Sequence, residues 1–392
     1  MKSNSKSCDR PRCLMAAGTA FEIGVCRGKA YESALQQKHA ERHFAVYRNL
    51  IQPHDRGAEE ALFQKMLDRA APFKETFPDT FEELRGMAEG AAIPLPSLLA
   101  MNGFFDSASL SCADKCTTLA FRDSDRGPVA GGAADTNPDI YVFIRKPVSG
   151  YANIQLANPF TLECCWGMNE KGLVVVSSGG LGVYAIPEEL RTAEFRQKPS
   201  SLTREARENL AADPIGLGGK LVLEQCQDVD EAVRFLQQRK VRGCGSQNMV
   251  DAAGGICVVE KGFGWFGMRE AVDGAAYTGN FFPAGLLSGK AYDYDMQQFF
   301  DDDDPIRQSW PGKFSRFRCM AEVAERNAGN YTLELLQNTL RSHKTIGFED
   351  KTNDNGVCND GTACAVIGIP KEKKMLISGR PPCLTEFTEY QL

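Results

Sequence analysis

Histidine is scarce in this chain, and its scarcity limits the chemistry that can be expected. Only four of the 392 residues are histidine, namely His39, His43, His54 and His343. Histidine is the commonest general base near neutral pH because its own pKa lies there, so the sequence favours another base for any catalysis. His39 and His43 stand four residues apart on a predicted helix, but no third ligand accompanies them. We therefore expect no metal site and no cofactor.

Long apolar runs and a secretion signal are also lacking. No stretch approaches the ~18 apolar residues that can span a bilayer. The first eight residues are polar and do not resemble the apolar core of a signal peptide. The net charge of −6 disfavours nucleic acid and anionic membrane as partners. We expect a cytoplasmic protein with no nucleic-acid or membrane partner.

Cysteine is plentiful, but the patterns that would give it a structural role are missing. The chain has 14 cysteines, none of them in a C-x-x-C pair, and no spacing typical of a zinc site occurs. With 43% hydrophobic residues, a chain of this length can build a core without a disulfide scaffold. Most thiols are therefore expected to be reduced and buried as small hydrophobic groups.

The first hundred residues have a helical pattern. Apolar residues recur at helical spacing from about 27 to 51, and again from Ala58 to Phe73. A third helix is predicted after Pro78, with Asp79 or Thr80 as its N-cap. This part of the chain is therefore predicted to be mainly helical.

Beyond residue 116 the pattern changes to short apolar segments separated by glycine, proline and aspartate, which predict strands. Residues 247–251 and 255–260 predict a hairpin. Helices are predicted at Asp230–Gln238 and Leu333–Leu340, and the glycine-rich stretch Gly216–Lys220 is predicted to be a loop. Hairpins mixed with helix pairs predict an α+β fold in which helices cover two packed sheets.

Cys116 stands at the change of pattern, after a polar, turn-forming stretch that ends at Lys115 and before Thr117 and Thr118. Its thiol needs a base, because at a pKa of ~8.5 only a few per cent is ionised at neutral pH. If the chain is cut between Lys115 and Cys116, the new α-amine, with an intrinsic pKa of ~7.7–8, can take the thiol proton. The position therefore predicts a nucleophile that frees its own base by attacking the Lys115 carbonyl.

Two other interpretations of Cys116 stay open on the residues alone. One is a papain-like hydrolase without self-cleavage, in which Cys116 would work with His343 and an Asn or Asp near Asn353. The other is a non-catalytic binding or assembly protein that stays uncut, with Cys116 as one ordinary buried thiol. Only the self-cleaving interpretation divides the chain in two.

Several motifs, taken in their order, resemble one known family. They are Glu-Leu-Arg-Gly-Met-Ala-Glu-Gly-Ala from Glu83, Cys-Thr at Cys116, a glycine-containing strand leading into Asp135, Gly-Met-Asn-Glu-Lys-Gly from Gly167 and Thr-Gly-Asn-Phe from Thr278. Together they resemble the acyl-coenzyme A:6-aminopenicillanic acid acyltransferase (isopenicillin N acyltransferase) family of N-terminal-nucleophile (Ntn) hydrolases. The resemblance runs from about residue 20 onward.

The resemblance implies a four-layer αββα Ntn-hydrolase sandwich preceded by a mainly helical pro-segment. Residues 1–115 would be the pro-segment, or α chain, and residues 116–392 the β chain that begins with the nucleophile. The implied activity is hydrolysis or exchange of an acyl group, taken from a small-molecule amide or acyl-CoA, through a thioester on Cys116. The two fragments of the precursor would be partners, and homo-oligomerisation is left open.

The resemblance also implies roles for residues matched by position. Cys116 would be the nucleophile, Asp135 would orient or polarise its amine, and Asn280 would donate a side-chain N–H to the tetrahedral oxyanion. Two departures bear on these roles. Lys115 stands where relatives commonly have a small or acidic residue, and Phe281 stands where the family has a histidine.

Five further residues are expected near a substrate pocket. Ser177 and Ser178 end an apolar strand, and Thr117 follows the nucleophile. Asn359 or Asp360 stands near the place of a Ser-Arg pair that some relatives carry late in the chain. No arginine follows at that place, so the role of that arginine is not obviously filled.

Overall fold

A computed structural model describes residues 11–47, 56–102, 104, 116–135, 139–179, 217–239, 245–262, 265–280, 310–346 and 355–392. The helices in this part of the chain are α1 (Ala20–Ala30), α2 (Glu32–Tyr47), α3 (Arg56–Thr76), α4 (Pro78–Gly90), α5 (Leu95–Met101), α6 (Leu217–Gln225), α7 (Val229–Gln238), α8 (Trp310–Arg326) and α9 (Leu333–Leu340). The strands are β1 (Cys13–Gly18), β2 (Thr117–Ser124), β3 (Gly127–Asp135), β4 (Tyr141–Pro147), β5 (Asn153–Asn158), β6 (Thr161–Asn169), β7 (Val174–Gly179), β8 (Gly245–Val250), β9 (Ile256–Gly262), β10 (Trp265–Glu270), β11 (Ala275–Thr278), β12 (Thr362–Ile369), β13 (Lys374–Ser378) and β14 (Phe387–Gln391).

The strands form two sheets. One has eight strands in the order β1-β4-β5-β6-β7-β8-β9-β10, and the other has six in the order β11-β2-β3-β12-β13-β14. The six-stranded sheet is antiparallel throughout. The eight-stranded sheet is mixed, because β1 runs parallel to β4 while the other neighbouring pairs are antiparallel. The fold is therefore α+β with a mixed sheet.

Strand β1 lies in the part of the chain that the sequence predicts to be mainly helical. It forms one edge of the eight-stranded sheet, where Cys13 pairs with Val142 and Gly18 with Pro147. Burial along β1 alternates, but its sequence Cys-Leu-Met-Ala-Ala-Gly has no alternation of apolar and polar residues that would reveal a half-buried strand. The strand therefore depends on a partner more than a hundred residues away, which local pattern cannot predict.

The two sheets pack face to face over an apolar core. Small side chains of the six-stranded sheet, such as Ala120 and Ala130, meet larger ones of the eight-stranded sheet, such as Trp166 and Val176. A Cβ at Gly132 would lie 3.0 Å from the Trp166 ring and 2.6 Å from a main-chain oxygen of β2. Glycine at this position therefore lets the tryptophan lie against the strand.

Each sheet also packs helices on its other face. On the six-stranded sheet, residues such as Leu119 and Phe121 join a cluster with Met320 of α8 and Leu336 of α9. On the eight-stranded sheet, alternate residues of β7 and β8 join a cluster with apolar residues of α6 and α7. Residues on β2 and β7 thus alternate between the core that separates the sheets and the clusters under the helices.

The helices in the first hundred residues differ from the predicted ones in detail. The helix predicted at about 27–51 falls on two helices, α1 and α2, which meet at Tyr31, while residues 48–51 lie outside the described residues. The first begins earlier, where Thr19 and Glu22 form a reciprocal capping box. Helix α4 has Phe77 at its N-cap without a side-chain hydrogen bond, so the predicted N-cap at Asp79 or Thr80 is wrong. None of the described helices is both long and apolar enough to cross a lipid bilayer.

The stretch Gly216–Lys220 was predicted to be a loop, but Leu217 already begins helix α6. A Cβ at Gly219 would collide with the main-chain oxygen of Cys164. Glycine here therefore serves close packing of α6 against β6. A glycine-rich pattern predicts a loop from propensity alone, and tertiary packing overrides it.

Five buried charges link the early helices to the later part of the chain. Glu83 of α4 pairs with three cations: Arg27 of α1 at 3.7 Å, Arg145 of β4 at 3.3 Å and Lys220 of α6 at 3.0 Å. Glu224 of α6 pairs with two of the same cations, Arg145 and Lys220. Burial by itself would raise the pKa of Glu83, but the three cations outweigh it and hold that pKa well below its ordinary value. Glu83 is therefore ionised and holds the elements that carry these cations together.

Candidate active site

Cys116 lies in the core between the sheets, directly before β2, and is 6% exposed. Its Sγ lies 3.7 Å from the main-chain oxygen of Asp135, the last residue of β3. Strands β2 and β3 are antiparallel, with Thr117 opposite Ala133. The start of one strand therefore meets the end of the other, and this register brings Cys116 next to Asp135.

The Asp135 carboxylate is held by two neutral donors. Thr362 Oγ1 donates to Oδ1 at 2.6 Å, and Asn359 Nδ2 donates to Oδ2 at 2.6 Å. Thr362 begins β12 and pairs with Asp135 in the sheet. Sequence reasoning missed Thr362, because only strand register brings it to Asp135.

Asn359 is in turn fixed by its own loop. Its main-chain N–H donates to Thr362 Oγ1 at 2.9 Å, and its Oδ1 accepts from the Gly361 N–H at 2.8 Å. Asp360, the other residue considered for this place, is exposed, and its main-chain oxygen accepts a bond from Arg380. Of the two, Asn359 is the residue that contacts Asp135.

Ser178 joins Cys116 from the opposite sheet. Its Oγ donates to the main-chain oxygen of Cys116 at 2.8 Å. Asn280 Nδ2 donates to Ser178 Oγ at 3.3 Å and to the main-chain oxygen of Gly179 at 2.5 Å. Both N–H groups of Asn280 are directed at these oxygens. In the oxyanion role expected from the sequence, at least one of the two bonds would have to be exchanged for the substrate.

Thr117 and Ser177, the other residues predicted for the pocket, lie differently. On β7, Val174 and Val176 face the core between the sheets and Val175 faces away, so Ser178 faces Cys116 and Ser177 faces away. The same alternation on β2 turns Thr117 away from that core. Each has a buried hydroxyl without a hydrogen-bond partner among the described residues. Of the predicted serines, Ser178 is the one that contacts the nucleophile.

Asn248 of β8 is a buried polar residue that sequence reasoning missed. Its Nδ2 donates to the main-chain oxygen of Ala276 at 2.8 Å and lies 3.4 Å from Thr118 Oγ1. It therefore links the eight-stranded sheet to β11 and β2, two residues from Cys116. The predicted hairpin at 247–251 contained it, but nothing in that pattern indicated that its side chain points between the sheets.

Two sequence-predicted residues fall on parts of the chain outside the described residues. Lys115, on the far side of the predicted cleavage bond, is one of them, and Asn353 of the papain-like interpretation is the other. His343 of the same interpretation is exposed and stands beside Cys358 and Cys383, their ligand atoms all within 4.8 Å of one another. Burial raises the pKa of the Cys358 thiol to about 12. These three side chains are the group in the described residues that could hold a metal ion.

Comparison with known proteins identifies the class to which the chain is similar. The family model of acyl-coenzyme A:6-aminopenicillanic acid acyl-transferase matches residues 133–271. This match confirms the family resemblance predicted from the sequence. The matched segment contains Asp135 and Ser178, while Cys116, Asn280 and Asn359 lie outside it. No curated protein matches the chain.

Solved structures similar to this one include three enzymes. A mutant of the conjugated bile acid hydrolase from Clostridium perfringens is 14% identical, with 71% of this chain and 97% of that chain covered and a TM-score of 0.42. Penicillin V acylase from Agrobacterium tumefaciens is 14% identical, with 68% and 83% covered and a TM-score of 0.35. The Caenorhabditis elegans ortholog of N-acylethanolamine-hydrolyzing acid amidase is 13% identical, with 71% and 100% covered and a TM-score of 0.40.

Proposed function

We propose that this chain is an Ntn amidohydrolase or acyltransferase that cuts itself between Lys115 and Cys116. Residues 1–115 become the α fragment, and residues 116–392 become the β fragment with Cys116 at its amino terminus. The observation that carries the proposal is the position of Cys116, whose Sγ lies 3.7 Å from the Asp135 main-chain oxygen at the meeting point of β2 and β3. The family match supports the same interpretation.

The proposed fold is the four-layer αββα sandwich. Its support comes from the apolar clusters, because α8 and α9 pack on the six-stranded sheet and α6 and α7 on the eight-stranded sheet. Helices α1–α5 together with β1 form the proposed pro-segment. The buried charges of Arg27 and Glu83 on that segment pair with each other, and Glu83 also pairs with Arg145 and Lys220 of the rest of the chain. This pairing would keep the fragments together after the cut.

Self-cleavage begins with attack by the Cys116 sulfur on the Lys115 carbonyl carbon. A C–S bond forms, the C–N bond breaks, and the thiol proton ends on the nitrogen that becomes the α-amine. Water then hydrolyses the thioester, which frees the Lys115 carboxylate and the Cys116 thiol. The Ser178 hydroxyl, bound to the Cys116 main-chain oxygen at 2.8 Å, steadies the residue on the leaving side of the bond.

In turnover, the new amine acts as the base for its own thiol. Asp135, whose side chain accepts hydrogen bonds from Asn359 Nδ2 and Thr362 Oγ1, would act on this amine as a carboxylate. A negative charge nearby favours the protonated amine that forms when the thiol gives up its proton. Asp135 therefore stabilises the charge-separated pair from which the thiolate attacks the substrate carbonyl.

The substrate class follows from the family and from the chemistry of the nucleophile. The thiolate takes the acyl group of a small-molecule amide or acyl-CoA as a thioester and releases an amine or a thiol. Water arriving at this thioester completes hydrolysis, whereas an amine completes transfer. We therefore expect one acyl-enzyme intermediate for both outcomes, carried by Cys116.

Intact mass spectrometry of the purified chain tests the proposal. The wild type should give two fragments of 115 and 277 residues (392 − 115), and the larger fragment should gain the mass of an acyl group with a panel of acyl donors. Cys116→Ala should stay whole and inactive. Cys364→Ala, which changes another buried thiol of the same core cluster, is the matched control and should be cut normally.

Other results would point to the alternatives. An uncut, active wild type that loses activity in His343→Ala would favour the papain-like interpretation. An uncut chain with an unreactive Cys116 would favour a non-catalytic protein. Full activity in Cys116→Ala would refute the proposal.

A further inference from the structure

Three side chains that could bind a metal meet outside the proposed active site. His343 follows α9, Cys358 lies in the segment that leads into β12, and Cys383 lies in the short 3-10 helix Pro382–Leu384. Their ligand atoms are all within 4.8 Å of one another. Cys358 is buried, Cys383 is half-buried and His343 is exposed. The cluster therefore has a closed interior side and an opening to solvent.

Contacts that do not involve these three side chains hold the segments together. The Cys358 N–H donates to the main-chain oxygen of Ser342 at 2.9 Å. A Cβ at Gly356 would lie 2.8 Å from the Cα of His343, so glycine lets the two segments touch. Arg341 donates to the main-chain oxygen of Pro382 at 3.1 Å. The donors are thus brought together by a framework that exists before any ion binds.

The donor set fits zinc. Two thiolates and an imidazole are ligands that Zn²⁺ prefers, at about 2.3 Å for sulfur and about 2.0–2.1 Å for nitrogen. In a tetrahedron with these bond lengths, neighbouring ligand atoms lie about 3.6–3.8 Å apart. Atoms already within 4.8 Å reach this separation by small side-chain rotations. Exposure on the His343 side leaves room for water as a fourth ligand.

We propose that His343, Cys358 and Cys383 bind one zinc ion per chain. The ion would fasten the segment after α9 and the 3-10 helix to the segment that carries Asn359. That residue follows Cys358 and donates to the Asp135 carboxylate at 2.6 Å. The ion would thereby stabilise the position of Asn359 and its hydrogen bond to Asp135. Zinc binding itself is independent of the proposed self-cleavage, and only its effect on turnover rests on that function.

Cobalt titration of the metal-stripped, reduced full-length chain tests the site, because Co²⁺ reports thiolate ligands by absorbance and zinc does not. We expect one Co²⁺ per chain with thiolate charge-transfer absorption, displaced by Zn²⁺, and a higher melting temperature with Zn²⁺. Cys383→Ser and His343→Ala should each weaken binding by more than about 10–100-fold, since even partners of metal ligands contribute that much. Cys13→Ser, at an exposed thiol on β1, should bind as the wild type does.

The uncut Cys116→Ala chain should bind equally, which separates this site from the proposed active site. Melting curves without metal check that each variant is folded, and His343 is exposed enough for its replacement to be tolerated. Absence of thiolate absorption in the wild type would overturn the proposal. So would unchanged binding in both Cys383→Ser and His343→Ala, or a Cys358–Cys383 disulfide in the freshly purified chain.

Discussion

Asn359 holds Asp135 across 224 residues of chain, with Nδ2 donating to Oδ2 at 2.6 Å. Both side chains are buried, at 2% and 4% exposed. Replacing a buried donor leaves its acceptor without a bond, which costs more than the bond contributed. A single substitution in this pair should therefore directly disturb the Asp135 side chain, whose main-chain oxygen lies 3.7 Å from Cys116 Sγ.

The stability of the Asn359→Asp variant should depend strongly on pH. The substitution puts two carboxyl groups in contact and so raises the pKa of one of them. A carboxyl group whose pKa is higher in the folded than in the unfolded state favours folding at a pH below its unfolded-state pKa. That contribution is lost as the pH rises through its folded-state pKa. The variant should therefore approach wild-type stability near pH 4 and be destabilised at pH 7. Urea unfolding across this range measures it, with exposed Asn330→Asp as the control. A constant difference at all pH values would contradict the prediction.

Asn359→Ala should slow self-cleavage and turnover by about 10–100-fold. A hydrogen bond to a charged group contributes about 1.5–3 kcal/mol, and each ~1.4 kcal/mol in a barrier is a factor of ten. Cleavage rates of Asn359→Ala, of Asp135→Asn and of the double variant are measured and compared with wild type in a double-mutant cycle. Strict additivity of the two single effects would show that Asn359 does not act through Asp135.

Ser178→Ala should slow cleavage by about tenfold or less, because it removes one neutral bond to the Cys116 main-chain oxygen, worth about 0.5–1.5 kcal/mol. Time courses of fragment appearance measure it. Ser97→Ala is the matched control, since Ser97 is also a buried serine but lies on α5. Equal rates for Ser178→Ala and wild type would remove Ser178 from the mechanism.

Asn280→Ala separates two roles. As an oxyanion donor, Asn280 should contribute about 10²–10³ in kcat with little change in KM. If Asn280 only orders Gly179 and Ser178, to which it is bound at 2.5 and 3.3 Å, its replacement should lower kcat by about tenfold. Ser178→Ala should then lower kcat by a similar factor. We expect the larger loss. Steady-state kinetics on a substrate found in the acyl-donor panel decides between the two.

Glu83→Gln should destabilise the chain by about 3–5 kcal/mol at pH 7, because it leaves buried cations without their shared partner. The folded-state pKa of Glu83 is held low, to about 2. Its contribution is therefore complete above its ordinary pKa of 4.5 and is lost as pH falls towards 2. Urea midpoints of wild type and variant should converge over that range. Glu82→Gln, at the half-buried neighbour paired with Arg85 near the surface, should change stability by less than about 1 kcal/mol.

Much of the fold could be predicted from the sequence because it depends on local pattern. Helix α9 has the predicted bounds, α7 begins one residue before its predicted start, and the predicted hairpin is β8 and β9. Strand β2 begins at Thr117, where the sequence predicts the strand-rich part of the chain to begin. Each of these features is set by residues within about ten positions of one another.

Other features depend on contacts between distant segments. Strand β1 exists through its pairing with β4, and α6 carries a glycine, Gly219, where it allows packing on β6. Neither periodicity nor propensity carries that information, since both describe neighbours along the chain. The five buried charges are a further example, because each charged residue taken alone is predicted to be exposed.

The sequence by itself determined that Cys116 stands before the strand-rich part of the chain and that the chain has few histidines. It also indicated Asp135, through the order of the motifs. Only the tertiary structure decided that Asn359 and Thr362 donate side-chain hydrogen bonds to Asp135 at 2.6 Å. It also decided that Ser178 faces Cys116 while Ser177 faces away, and that His343, Cys358 and Cys383 meet. The reason is that strand register and the packing of the connecting segments set which side chains meet, and neither can be read from one stretch of sequence alone.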